Sequence, residues 1–143
     1  MTFETAFSVL VGLDRAFLND LLREKRLNRE EIRLMLLNEY WNKMQCNKFY
    51  NHSIRFELFD FSVSSNAKTA IELFQKALCF LKFKVEINGD MTPETIANGN
   101  SASFQFPRVL LNTFRGYQFV YLTQLNPRNG TQEKLIISQL SKL

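Results

Sequence analysis

The sequence contains few of the residues that nucleophilic catalysis and metal binding require. There is one histidine, His52, and there are two cysteines, Cys46 and Cys79, which do not form a CxxC spacing. A Ser-His-Asp relay would have to use His52, and a zinc site would need both cysteines to converge on it. We therefore expect no metal and no other cofactor. The cysteines are predicted to be reduced core residues, with a disulfide between them as the alternative.

The chain also lacks a long hydrophobic run. Its longest apolar runs, such as residues 34–37 and 135–137, are far shorter than the roughly 20 residues of a membrane-spanning helix. Acidic Glu4 precedes the first apolar stretch, and no basic segment or small-residue cleavage site accompanies it. A secretory signal peptide is therefore not expected, and the protein is predicted to be made in the cytoplasm without a membrane span.

A strong excess of one charge is missing as well. The 18 Lys and Arg residues against 14 Asp and Glu residues give a net charge of +4, and the densest basic run, residues 23–26, includes Glu24. A dedicated nucleic-acid binder would need a basic face with aromatic stacking positions, so this class is disfavoured. A weakly basic surface instead suits an anionic polymer.

The hydrophobic spacing indicates a mainly α, compact single domain. The length of 143 residues and a hydrophobic content of 45% allow one core of adequate size. A first helix is predicted from four residues that share one face at spacings of four, three and four. These residues are Phe3, Phe7, Leu10 and Asp14. A second helix is predicted from the capping pair Asn28 and Glu31 to about Trp41.

The distal part of the chain shows similar helical signals. A short helix is predicted in residues 50–61, followed by a helix that is capped by Asn66 and runs through Phe83. A turn is predicted at Asn88-Gly89, before a helix that is capped by Thr92 and begins with Pro93. Two further helices are predicted over residues 107–125 and 132–140. A stretch rich in Gly, Asn and Ser, residues 98–103, is predicted to separate the Pro93 helix from the next one.

Four segments follow one another in the order found in a family of cell-wall enzymes. They are residues 3–20, residues 58–66 (LFDFSVSSN), residues 73–78 (LFQKAL) and residues 88–95 (NGDMTPET). They resemble the bacterial and prophage muramidases of the secretion-activator type, the EGGY lysozymes. That family reads roughly FDxAVxxVLxHEGGYxND at its start, and later LFDxAVNSG, LQxAL and DGxxGPxT. The resemblance implies a lysozyme-like domain, with a muramidase part in residues 1–53 and a peptidoglycan-binding-like part in residues 54–143.

The resemblance implies a catalytic pair made of Asp14 and Asp20. Asp14 falls where the family has its catalytic Glu, and would protonate the glycosidic oxygen of the β-1,4 link after N-acetylmuramic acid. Asp20 falls at the ND position and would assist a water molecule. Glycoside hydrolysis needs such a pair, with one acid still protonated near neutral pH. The predicted position of Asp14, at a helix end on an apolar stripe, would raise its pKa, and Arg15 would lower it if its side chain points inward. The alternatives are that Asp14 is a solvated residue at the end of the helix and Asp20 a cap or exposed acid.

Departures from the family pattern predict weak or no hydrolysis. Asp in place of Glu withdraws the carboxyl group by about 1.5 Å, a misplacement that can cost ~10²-fold in rate. Arg15 and Ala16 replace the two glycines of the EGGY motif. The family's active-site hairpin, of the type DxGGxTxxGI, has no counterpart between Asp20 and the second helix. Peptidoglycan glycan strands remain the expected ligand.

Four residues are candidates for contacts with that ligand. Trp41 matches a YW pair of the family, and its ring is predicted either to stack on a sugar or to lie in the core. Asp60 matches the family's FD pair, with a helix-start hydrogen bond as the alternative. Ser64 and Asn66 stand where the family has Asn and Gly, and are predicted to alter the wall of the groove.

Three functions remain open from the sequence. The first is a lysozyme-like protein that binds or weakly processes peptidoglycan, acting at the cell wall or in the periplasm if delivered there. The second is an active endolysin with Asp14 as general acid. The third is a structural component of a phage particle, or of a secretion or motility apparatus, in which the former groove faces a partner protein.

Overall fold

The computed structural model describes residues 1–12, 23 and 27–124, and in these residues the chain forms helices and turns but no β-strand. The α-helices are α1 (Phe3–Gly12), α2 (Arg29–Leu36), α3 (His52–Ser64), α4 (Ala67–Phe80), α5 (Pro93–Gln105) and α6 (Pro107–Gln124). A π-helical turn, Leu37–Trp41, continues α2, and a short 3-10 helix, Cys46–Lys48, follows it. The mainly α fold class predicted from the sequence is confirmed. The predicted helix over residues 132–140 lies outside the described residues.

Helices α2, α3, α4 and α5 each begin at a side chain that accepts a hydrogen bond from the backbone N–H three residues further on. Such a cap satisfies one of the N–H groups that a helix start leaves without a partner. The caps are Asn28, Asn51, Asn66 and Thr92. Three of them, all except Asn51, were predicted as caps from the sequence. Because a cap depends only on nearby atoms, these helix starts can be read from local sequence.

The core is formed mainly by α3, α4, α5 and α6, with α1 packed on α3. The predicted stripe of α1 is confirmed for Phe3, Phe7 and Leu10, which are all buried. Edge-to-face aromatic pairs connect the helices, and Phe74 of α4 contributes to two of them. Its ring centroid lies 5.6 Å from that of Phe49 and 5.4 Å from that of Phe114. Such pairs stabilise a core beyond the area they bury.

Three predicted boundaries of helices are wrong. The short helix predicted over residues 50–61 is α3, which runs from His52 to Ser64. The Asn66-capped helix ends at Phe80 rather than Phe83, because Leu81 leaves the helical conformation and Lys82 has a positive φ of 72°. The predicted separator in residues 98–103 is instead the interior of α5, which continues to Gln105. Gly99 sits there under aromatic rings, and Ser103 donates a hydrogen bond back to the Gly99 carbonyl at 2.7 Å. Tertiary packing therefore overrides the weak helix propensity of this stretch.

Candidate functional site

The predicted catalytic pair, Asp14 and Asp20, lies outside the described residues. Their roles as general acid and water-activating carboxylate therefore stay predictions. The predicted ligand contacts Trp41, Asp60, Ser64 and Asn66 all lie in the described part.

Trp41 is part of the core. It is completely buried, its ring meets those of Phe3 and Phe59 edge to face at 5.6 and 5.4 Å, and its Nε1 donates to the Asn47 side chain at 3.0 Å. A ring without an accessible face cannot stack on a sugar. Of the two roles predicted for Trp41, the geometry therefore favours the core role over the ligand contact.

Asp60 is also inaccessible, and Ser64 is half-buried beside it. Asp60 lies within α3, and Ser64 donates from its hydroxyl to the Asp60 carbonyl at 3.3 Å. The same face of α3 carries the buried Glu57, whose carboxylate lies 3.3 Å from Arg115 of α6. Asp60 thus belongs to a polar face packed inside the domain, and a direct contact with a polymer is not available to it. The next helix start is capped by Asn66 rather than by Asp60.

Asn66 is exposed and lines a surface groove. We name this cavity of about 500 Å³ the Asn66 groove. Its lining residues come from the π-helical turn, from Lys43 just after it, and from the start of α4 with its cap. They are Asn38, Glu39, Tyr40, Lys43, Asn66, Ala67 and Lys68. Of the four predicted ligand contacts, Asn66 is thus the one found in the lining of this groove.

The π-helical turn gives the groove its first wall. The Asn42 N–H donates to the Leu37 carbonyl at 2.9 Å, a span of five residues in place of the usual four. The wider turn buries Trp41 while Asn38 and Glu39 remain exposed beside Asn66. Such π-helical insertions occur frequently at functional sites in other proteins. The end of this helix near Trp41 was predicted from the sequence. Hydrophobic spacing carries no signal for a π-helical turn, so most residues that line the groove were not predicted.

The groove is rich in hydrogen-bond donors. Lys43 and Lys68 supply ammonium groups, and the Asn66 amide nitrogen can donate while its oxygen caps α4 through the Thr69 N–H at 2.8 Å. Burial, together with the Glu39 carboxylate, raises the pKa of Tyr40, so its hydroxyl stays protonated and can donate as well. These groups suit a ligand with hydroxyl, acetamido and carboxylate oxygens.

The groove has a poor set of groups for hydrolysis. Among its lining residues only Glu39 carries a carboxylate, and it is exposed to solvent. A glycosidase needs two carboxyl groups on either side of the scissile bond, one of them kept protonated by its surroundings. The described residues around this groove therefore offer hydrogen-bond donors but do not include the pair of carboxyl groups that would cleave a glycosidic bond.

Gln75 holds the turn between α4 and α5. The completely buried side chain of Gln75 makes five hydrogen bonds to residues 88–95. Its carbonyl oxygen accepts from the backbone N–H groups of Asn88 and Gly89. Its amide nitrogen shares two hydrogens among three acceptors, which are the side chains of Asn88 and Thr95 and the Asp90 carbonyl. The predicted turn at Asn88-Gly89 and the helix start at Thr92 are confirmed. Two of the four segments that carry the family resemblance, residues 73–78 and 88–95, thus meet through one side chain.

The described residues contain neither a metal-binding cluster nor a helix that could span a membrane. No group of three or more His, Cys, Asp or Glu side chains there is placed to hold a metal ion. None of the described helices is long and apolar enough to cross a membrane. Both cysteines are free thiols. Comparison of the chain with known protein families, curated proteins and solved structures gives no match.

Proposed function

We propose that this protein binds the glycan strands of peptidoglycan and hydrolyses them weakly or not at all. The observation that carries the proposal is the Asn66 groove, which combines one residue of the motif-bearing loop with lysine, tyrosine and amide donors. The order of motifs that resembles the muramidases supplies the choice of ligand. The Gln75 hydrogen bonds support that choice, because they join the two segments, LFQKAL and NGDMTPET, that carry the most specific part of the resemblance.

The chemistry of peptidoglycan fits the lining. Its sugars carry hydroxyl and acetamido oxygens, and its lactyl and peptide groups add carboxylates. Lys43 and Lys68 complement the carboxylates, and the Asn66 amide and the Tyr40 hydroxyl complement the neutral oxygens. The net charge of +4 favours the encounter with an anionic polymer and makes it salt-dependent. Binding to a partner protein of a phage or secretion apparatus is the competing use of the same groove.

Sedimentation with purified sacculi tests the proposal. The wild-type protein should sediment with the sacculi, and Asn66→Asp should weaken binding by about tenfold, equal to about 1.4 kcal/mol. This substitution keeps the capping oxygen of α4 but removes the amide donor and adds a negative charge. Asn28→Asp is the matched control, because Asn28 caps α2 with the same geometry and does not line the groove. Failure of the wild type to sediment, or equal losses in both variants, would overturn the proposal.

Turbidity of the same sacculi separates binding from hydrolysis. We expect slow clearing or none over the period in which binding is complete. Rapid clearing that Asp14→Asn abolishes, with the fold intact, would establish the active muramidase instead. Rapid clearing that Asp14→Asn leaves unchanged would remove Asp14 from the mechanism.

A further inference from the structure

Two of the most exposed aromatic side chains lie on the same small cavity. Phe104 of α5 is 90% exposed and Tyr50, just before α3, is 79% exposed. Single exposed apolar side chains are ordinary on protein surfaces. Here both rings line one cavity of about 240 Å³ together with Asn51, Asn100 and Ser103. We name this cavity the Tyr50 pocket, and it shares no lining residue with the Asn66 groove.

The frame of the Tyr50 pocket is held by hydrogen bonds between distant parts of the chain. The Asn100 side chain accepts from the Tyr50 N–H at 3.0 Å and donates to the Lys48 carbonyl at 2.9 Å. Asn100 therefore attaches the segment before α3 to the surface of α5. Arg55 of α3 donates to the Phe49 carbonyl from the other side. Because these contacts fix the backbone, the two aromatic rings are attached to a preformed site, which lowers the entropy that a ligand must lose on binding.

The polar groups of the pocket complement a sugar. The Asn51 side-chain oxygen caps α3 through the Ile54 N–H at 3.1 Å, which leaves the Asn51 amide nitrogen as a donor. The Ser103 hydroxyl donates to the Gly99 carbonyl and can still accept a hydrogen bond. A pyranose ring presents C–H groups on its faces and hydroxyl groups at its edge, so aromatic faces beside amide and hydroxyl groups match it. An acetamido group adds one acceptor and one donor.

We infer that the Tyr50 pocket is a second glycan subsite that binds one N-acetylhexosamine unit. Its volume lies below the roughly 300–1,000 Å³ of pockets for drug-sized ligands, which suits a single ring. A stable protein–protein contact covers about 800 Å² on each partner, far more than this pocket offers by itself. The choice of sugar rests on the proposed function, but the site uses different residues. Two subsites on one chain would raise the avidity for a long glycan strand.

Nuclear magnetic resonance titration with a short, soluble N-acetylglucosamine oligomer tests the inference. We expect shifts of the backbone amides of Asn51, Asn100 and Phe104, and a roughly tenfold higher Kd in Phe104→Ala. Phe80→Ala is the matched control, because Phe80 is 62% exposed and does not line the pocket. Both side chains are largely exposed, so neither truncation removes core packing. Tyr50→Ala should weaken binding in the same direction as Phe104→Ala.

The other outcomes distinguish a failure of the second subsite from a failure of the proposed function. Shifts confined to Asn66 and Lys43 would overturn the second subsite and leave the proposed function standing. Shifts at the Tyr50 pocket, with sacculus binding unaffected by Asn66→Asp, would support the subsite and overturn the proposed groove. An unchanged Kd in Phe104→Ala would overturn the subsite. In the absence of sugar, amide shifts could change with protein concentration in the wild type but not in Phe104→Ala. That result would show that the two rings contact a second copy of the chain, and it would overturn the inference.

Discussion

The side-chain oxygen of Gln75 accepts a hydrogen bond from the backbone N–H of Gly89 at 3.0 Å. The two residues belong to different segments of the motif-bearing half, and Gly89 has a positive φ of 76° that other residues adopt at a cost. A Cβ at Gly89 would also lie 2.6 Å from the Lys68 side chain. The turn is therefore determined both by its glycine and by the amide that binds it.

Loss of the Gln75 amide should destabilise the domain. Gln75→Leu keeps the helix and the approximate volume but leaves the half-buried N–H group of Asn88 and the buried N–H group of Gly89 without their acceptor. Each such group costs about 1–3 kcal/mol, so we expect a loss of about 3 kcal/mol in urea unfolding. Gln105→Leu is the control, because Gln105 is exposed at the end of α5. A loss in Gln75→Leu no larger than in this control would contradict the prediction.

Phe74 is a central core residue, and its loss should destabilise the protein. Ala70, Phe74 and Ala77, which are spaced four and three residues apart on α4, are completely buried. Phe74→Ala should therefore lower the free energy of unfolding by about 3–5 kcal/mol. Phe80→Ala, a change of the same size on the same helix, should cost less than about 1 kcal/mol because Phe80 is exposed. Similar losses in the two variants would contradict this account of the helix.

Two helical glycines should respond oppositely to the same substitution. Gly116 in α6 has no atom within 4 Å of an added Cβ, so Gly116→Ala should stabilise the protein by up to about 1 kcal/mol through helix propensity. At Gly99 an added Cβ would lie 2.8 Å from the Phe49 ring and 3.0 Å from the Phe74 ring. We expect Gly99→Ala to destabilise by about 1–3 kcal/mol. Thermal unfolding measures both, and a gain at Gly99 would show that the rings can move aside.

The thiol of Cys46 should make stability fall at alkaline pH. Burial raises the pKa of Cys46, despite the opposing effect of Arg55. The unfolded chain can then lose this proton above the ordinary thiol pKa of about 8.5, while the folded protein retains it. The stabilisation is complete below that pH and is lost progressively as the pH rises above it. Urea unfolding between about pH 7 and 10 should show this decline, and Cys46→Ala should reduce it. An identical decline in the variant would contradict the assignment.

The candidate site could be predicted only in part. Asn66 was identified as a ligand contact from the motif pattern, and it lines the groove. Trp41 and Asp60 were identified by the same reasoning, yet both are completely buried. A motif match gives the position of a residue in the chain but not whether its side chain points toward solvent. The sequence carried no signal for Lys43 as a groove residue or for the Tyr50 pocket. Both cavities are lined by residues that lie far apart in the chain and meet only in the folded protein.

The sequence by itself determined the features that depend on neighbouring residues. The caps at Asn28, Asn66 and Thr92 form within one turn of helix, and the apolar spacing of α1 and α4 selects their buried faces. Only the tertiary structure decided that residues 98–103 continue α5, that Gln75 binds the turn at Gly89, and that Asn100 forms one side of a pocket with Tyr50. These outcomes depend on packing and hydrogen bonds between distant segments, whose free energy exceeds the weak local preferences of the residues involved.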